Sequence, residues 1–128
     1  MGLERILLQA SFTRSIAFSL FSGNYNGNRN YFLLASASGT SPGIYLPGGQ
    51  AVLPLKWDWF TNIVIQSLNT PFFENFTGTL DQEGIGYAGI NTFKPLPPNA
   101  VGLLLHFAYA LDKPWDFVSI PVPIKIVP

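Results

Sequence analysis

Val101-Gly102-Leu103-Leu104-Leu105-His106-Phe107-Ala108-Tyr109-Ala110-Leu111 decides the fold. Its large side chains recur at every second residue, with Val101, Leu103, Leu105, Phe107, Tyr109 and Leu111 on one face. That is the period of a strand, not of a helix. The other face carries Gly102, Leu104, His106, Ala108 and Ala110 and is nearly as apolar. A strand that is apolar on both faces belongs between two layers, so this one reads as the centre of a layered β protein.

The flanks fit that reading. Upstream, Lys94-Pro95-Leu96-Pro97-Pro98-Asn99 lacks the backbone donors of its prolines and reads as an extended connection that crosses between sheets on the surface. Before it, Phe76 to Leu80 and Ile85 to Phe93 surround Asp81-Gln82-Glu83-Gly84, a turn with Gly placed for positive φ, which predicts a hairpin. Downstream, Asp112-Lys113-Pro114-Trp115-Asp116 turns the chain into a last strand, Phe117 to Val127. Pro121 and Pro123 share a face of that strand, and their missing donors predict an edge or a swapped position.

In the first half, Ile16, Phe18 and Leu20 alternate with Ala17, Ser19 and Phe21 in a strand from about Phe12, ended by the polar loop Ser22 to Asn28. Tyr31 to Ser36 is the next run. The pieces Ile44 to Leu46 and Ala51 to Leu55 flank Pro47-Gly48-Gly49, and prolines mark them as edge strands. Between Asp58 and Leu68 the spacing of Trp59, Phe60, Ile63, Val64 and Leu68 predicts a short helix, with Asp58 as N-cap and Asn69-Thr70-Pro71 as its stop. Trp59 would then face the core and Trp57 would sit at the strand-to-helix corner. The chain as a whole reads as all-β, a two-sheet antiparallel β-sandwich of immunoglobulin-like or Greek-key type with one short helix around 58–68. Residues 1–128 read as one domain, with 1–11 as a loose or assembly-related N-terminal arm.

Composition narrows the function. Seven Lys plus Arg balance seven Asp plus Glu, so the clustered positive charge that nucleic acid or an anionic membrane requires is missing. Charged residues are 11% of the chain, against about 25% in ordinary soluble domains, which predicts an unusually neutral surface. There is no Cys, hence no thiol nucleophile, disulfide or cysteine metal site. The stretch Asn30 to Leu55 has no Asp, Glu, Lys or Arg but is broken by Pro42, Pro47 and Pro54, so it is no membrane-spanning helix. Ile6-Leu7-Leu8 is too short an apolar run for a secretory signal.

Little in the sequence points to catalysis. His106 is the only histidine, and its place in an apolar strand reads as a packed side chain rather than a general base. Ser36, Ser38, Ser41 and Ser119 lack a G-x-S-x-G elbow. Asp58 is explained by a cap, and Asp81, Glu83, Asp112 and Asp116 by turns that lack the spacing of a calcium loop. No catalytic residue, cofactor or metal ligand is expected. Aromatic residues are the stronger signal at 15% of the chain. Trp57, Trp115 and Tyr25, with Arg29 at the end of the Gly23 to Asn30 loop, are the candidate ligand or partner contacts.

Several phrases carry a resemblance: Leu33-Leu34-Ala35-Ser36-Ala37-Ser38-Gly39-Thr40-Ser41-Pro42-Gly43, Leu53-Pro54-Leu55, Gly78-Thr79-Leu80-Asp81, Gly102 to Tyr109, and Val118-Ser119-Ile120-Pro121-Val122-Pro123. Together they resemble a β-sandwich module that recurs at the C-terminal end of large secreted or cell-surface proteins of environmental bacteria. The resemblance implies an extracellular or surface setting and no activity.

The expectation is thus a non-enzymatic module that acts through protein-protein contacts or as a homo-oligomer, because neutral apolar surface left in water invites association. Strand addition at Phe12 to Phe21 or Phe117 to Val127 is the simplest mechanism. The alternative is a carbohydrate-binding module using Trp57, Trp115 and Tyr25.

Overall fold

The computed structural model describes residues 6–10, 14–93 and 95–128. In chain order its elements are β1 (Ile6–Gln9), β2 (Arg14–Phe21), β3 (Asn30–Ser36), β4 (Ile44–Tyr45), β5 (Val52–Leu53), α1 (Trp59–Gln66), β6 (Phe73–Glu74), β7 (Thr77–Thr79), β8 (Ile85–Thr92), β9 (Leu104–Leu111), β10 (Phe117–Val118) and β11 (Val122–Val127). One sheet has the order β1-β11-β9-β3-β7, with β10 also on β9; a second has the order β2-β8-β6; β4 and β5 pair only with each other. The chain crosses between the two large sheets from β2 to β3, from β7 to β8 and from β8 to β9, which makes the expected all-β sandwich.

The deciding stretch is β9. Leu105, Phe107, Tyr109 and Leu111 enter the main core with Phe18, Leu20, Leu33, Phe76 and Ile124. Ala108 and Ala110 face the other way and are covered by Leu53 and Leu55 of the β4–β5 arm in a second small core. Phe107 joins the layers: its ring lies 5.2 Å from Phe18, 6.3 Å from Phe76 and 6.4 Å from Phe60. Each fully buried side chain of this size contributes about 1.5–3 kcal/mol.

The helix forms where expected but presents a rotated face. Asp58 caps it by accepting from the Phe60 and Thr61 amides at 3.0 and 3.1 Å, and the Thr61 hydroxyl lies 3.2 Å from the Asp58 amide that donates to it. Thr61 and Val64 are the buried residues, whereas Trp59 is 54% exposed and does not enter the core. The reason is polar: the Thr61 hydroxyl donates to the Ala35 carbonyl at 2.7 Å, docking that side of the helix on the end of β3. The second Asp58 oxygen completes the joint, accepting from the Ala37 amide at 2.9 Å and the Ser38 hydroxyl at 2.6 Å.

The expected hairpin around Asp81 to Gly84 is corrected. The turn closes, with the Gly84 amide donating to the Asp81 carbonyl at 3.0 Å and the Asp81 amide to Ile85 at 2.9 Å. Its two arms then part, β7 pairing with β3 and β8 with β2 and β6. Tyr31 stands where a ladder would have run. A Cβ on Gly78 or on Gly86 would meet its ring, and its hydroxyl donates to the Asn75 carbonyl at 2.8 Å, with the Tyr87 carbonyl 3.3 Å away as a second acceptor for the same hydrogen. Burial pushes that phenol's pKa up.

The two ends of the chain also differ from expectation. Ile6–Gln9, within the expected loose arm, forms β1 and pairs in parallel with Ile124 to Val127; residues 1–5 and 11–13, including the expected strand start at Phe12, lie outside the described residues. The last strand is broken: Val118 pairs with Ala110 and Val122 with Phe107, so one extra residue bulges between β10 and β11. Nor is β11 an edge, because it lies between β1 and β9. Pro123 is accommodated because Ile126 exchanges bonds with the β9 side, through Leu103 and Gly102, so alternation turns the Pro123 nitrogen away from β9, one residue before the β1 pairing starts.

Two outcomes follow. At Gly84 (φ +78) a Cβ would lie 2.0 Å from the Gly23 carbonyl oxygen, whereas at Gly48 (φ +91) it would meet nothing within 4 Å. Gly48→Ala should therefore cost about 1 kcal/mol for its backbone alone, and Gly84→Ala at least twice as much, as measured by urea unfolding. Burial alone would raise the Asp58 pKa, but the hydrogen bonds from Ser38, Thr61 and Ala37 outweigh it and hold the carboxyl below its ordinary value. A carboxylate with a lowered folded pKa stabilises above its unfolded value of about 3.9 and loses that contribution as pH falls through the folded pKa. Asp58→Ala should cost about 1–2 kcal/mol at neutral pH, and its deficit against wild type should shrink in the same unfolding measurement at about pH 3.

Candidate functional site

β2 lies at the end of its sheet, so one of its two edges is unpaired among the described residues. The direction of its backbone groups follows from its partner. The Ser22 amide donates to the Gly84 carbonyl at 2.9 Å, directly after the Phe21↔Ile85 pair. Alternation therefore turns the amides of Leu20, Phe18 and Ile16 toward β8 and those of Phe21, Ser19, Ala17 and Ser15 outward. From Ser15 to Phe21 the strand has no charged side chain and no proline, which are the devices that commonly protect an edge.

Beside this edge the sandwich is open. A cavity of about 410 Å³ runs between Phe18–Phe21 of β2 and the Phe117 to Val122 segment, with Leu33, Phe107 and Tyr109 at its floor. None of its lining residues is charged. Its main polar group is paired, since the hydroxyls of Tyr109 and Ser22 share a hydrogen bond of 2.7 Å; burial raises the Tyr109 pKa and this bond opposes the rise. On the far wall, Ile120 is 77% exposed, and Pro121, between the lining residues Ile120 and Val122, has no N–H to offer. Within the opposite segment Pro121 has no donor to offer, whereas β2 presents both donors and acceptors along its outer edge.

The residues singled out from the sequence lie elsewhere. Arg29 is a fastener: it donates to the Asp112 carbonyl at 3.1 and 3.2 Å, to Asn26 Oδ1 at 2.7 Å and to the Pro114 carbonyl, and it pairs with the Asp116 carboxylate at 2.7 Å. It thereby ties down the loop that carries Trp115. That indole packs on Phe32 at 5.1 Å. Trp57 is half exposed, and its Nε1 donates to Asn62 Oδ1 at 2.8 Å. Trp57 and Trp115 both line a cavity of about 300 Å³ between the β4–β5 arm and α1, whose other side chains are apolar except Tyr45 and Thr77. Tyr25 stands fully exposed at the 3-10 turn Asn24–Asn26, away from both cavities.

Of the two strands expected to accept a partner, the first has one edge open along its length, while the second is paired on both sides from Ile124 onward and on one side, by β9, before that. The apolar slot between them was not legible, although two of its signals were: the charge-free run after Arg14 and Pro121. Several of the groups weighed for chemistry have structural partners. Ser36 is fully buried, with its hydroxyl between the Ser38 amide and Asp58; Asp81 Oδ1 accepts from the Glu83 and Ile85 amides within its own turn. Among the described residues no group of three or more His, Asp or Glu is placed to hold a metal ion, and no helix is long and apolar enough to cross a membrane.

No protein-family model matches the chain, and no curated protein matches it. Solved structures do. The crystal structure of the Pseudomonas aeruginosa CupB2 chaperone superposes with a TM-score of 0.55 at 16% sequence identity, over 97% of this chain and 53% of the chaperone. The chain spans about half the length of that protein. At this identity the likeness is one of fold.

Proposed function

We propose that this chain is a non-enzymatic β-sandwich module that acts through protein-protein contact, by strand addition along the outer edge of β2. One observation carries the reading: the longest unpaired edge among the described strands, free of charge and proline from Ser15 to Phe21, borders an open apolar slot. Backbone hydrogen bonds would supply the affinity and alternate side chains the register. The low charge of the whole chain supports a surface that is partly covered in use. Its fold likeness to a bacterial chaperone structure and the resemblance of its strand phrases to modules of secreted bacterial proteins support an exported or surface-associated setting.

An edge of this kind left without a partner pairs with itself. Light scattering over a dilution series should show wild-type mass rising above the monomer at high concentration. Ser19→Pro, which removes an outward donor and spares the β8 ladder, should stay monomeric with an unchanged circular dichroism spectrum, and Ser19→Lys should do the same if proline perturbs the fold. Equal masses for wild type and both variants at every concentration would overturn the assignment to β2.

A further inference from the structure

We infer that the slot beside β2 accepts an extended, uncharged segment of another protein, one that is unpaired in its own chain and carries apolar side chains at alternate positions. The inference rests on strand addition at β2 and specifies what is added.

The choice of occupant follows from what a second copy lacks. If two β2 strands paired edge to edge, each would bring backbone groups, but Phe18 and Leu20 are already buried in their own core. Neither copy would then have free side chains to place in the other's slot, and the cavity of about 410 Å³ would stay empty. A β2–β2 pair thus leaves the slot unfilled, whereas a segment outside any sheet satisfies the edge and the slot together. Its backbone would bond to Ala17, Ser19 and Phe21, whose amides face outward. Along Phe18–Phe21 it would turn about two side chains inward, against Leu33, Tyr109 and Phe117 on one side and Ile120 and Val122 on the other.

The charge of the occupant follows from the walls. None of the lining residues is ionised, and Tyr109 and Ser22 already satisfy each other, so a charged side chain turned inward would find no partner. Polarity of the pairing is set too. Because Pro121, between Ile120 and Val122, has no N–H, the added strand is held by β2 and packs against Ile120 and Val122 through side chains, so a segment that merely threads the slot without β2 would be weakly held.

Synthetic capped octapeptides test this. One alternates valine with threonine; the second has the same composition with the valines grouped; the third is the alternating peptide with N-methylated backbone at alternate positions. Titration followed by amide chemical shifts should show the alternating peptide binding at least tenfold more tightly than the other two, with Ala17 and Ser19 moving most. Binding should weaken at least tenfold in Ser19→Pro and in Val122→Phe, which fills the slot from its far wall, while Val122→Phe keeps the self-association of the wild type. Equal binding of the alternating and grouped peptides, or binding undiminished in Val122→Phe, overturns the inference. If no peptide binds while Ser19→Pro still abolishes self-association, strand addition at β2 stands and the occupant is a second copy instead.

Discussion

Burial of β9 on both faces is the constraint on which the rest of the structure depends. A strand of mostly apolar side chains must be covered twice, and the two covers differ. On the side of Leu105, Phe107 and Tyr109 the cover is the β2-β8-β6 sheet with α1 at one end; on the side of Ala108 and Ala110 it is the short β4–β5 arm, which fits because both residues are small. Phe107 reaches rings from β2, α1 and the β6–β7 corner, so one side chain ties the layers together. The first cover is incomplete. Three strands face a sheet with five positions across, and the shortfall leaves the opening beside β2.

Along the outer edge of β2 the backbone groups have no partner among the described residues. Elsewhere, diverging backbone finds substitutes for a ladder: Tyr31 bonds the Asn75 carbonyl, with that of Tyr87 as a second acceptor, where β7 and β8 part, Asp58 and Thr61 join the helix to β3, and Arg29 gathers the carbonyls of the 112–116 loop. No described group does the same for the outward amides of β2. The outward residues Ser15, Ala17, Ser19 and Phe21 are exposed, so water can satisfy their amides in the isolated chain, and the proposed strand would replace that water.

Much of this was legible in sequence because it rests on local pattern. The period of two in β9, the proline-rich connection after β8 and the Asp58 cap each express one element's own chemistry. The misread parts are those where a distant side chain decides. The Asp81 to Gly84 turn carries correct turn residues, but whether its arms pair depends on Tyr31, some fifty residues away in the chain. Trp59 has the spacing of a core residue, and a hydroxyl on Thr61 rotates the helix so that it stays outside. The hold on Arg29 by carbonyls of the 112–116 loop is likewise set by residues remote in sequence. Pro121 and Pro123 announce a strand with a poor edge, but only the parallel pairing of β1 from Ile124 onward shows that β11 is not the rim of its sheet.

The outer edge of β2 is tested most directly by amide hydrogen exchange resolved residue by residue in the isolated, dilute protein. The amides of Phe18 and Leu20, bonded to β8, should be strongly protected, and those of Ala17 and Ser19 should exchange far faster, giving an alternating pattern along one strand. Uniform protection from Ala17 to Leu20 would mean that the edge already has a partner within the chain, and the protein would then have no open strand to offer.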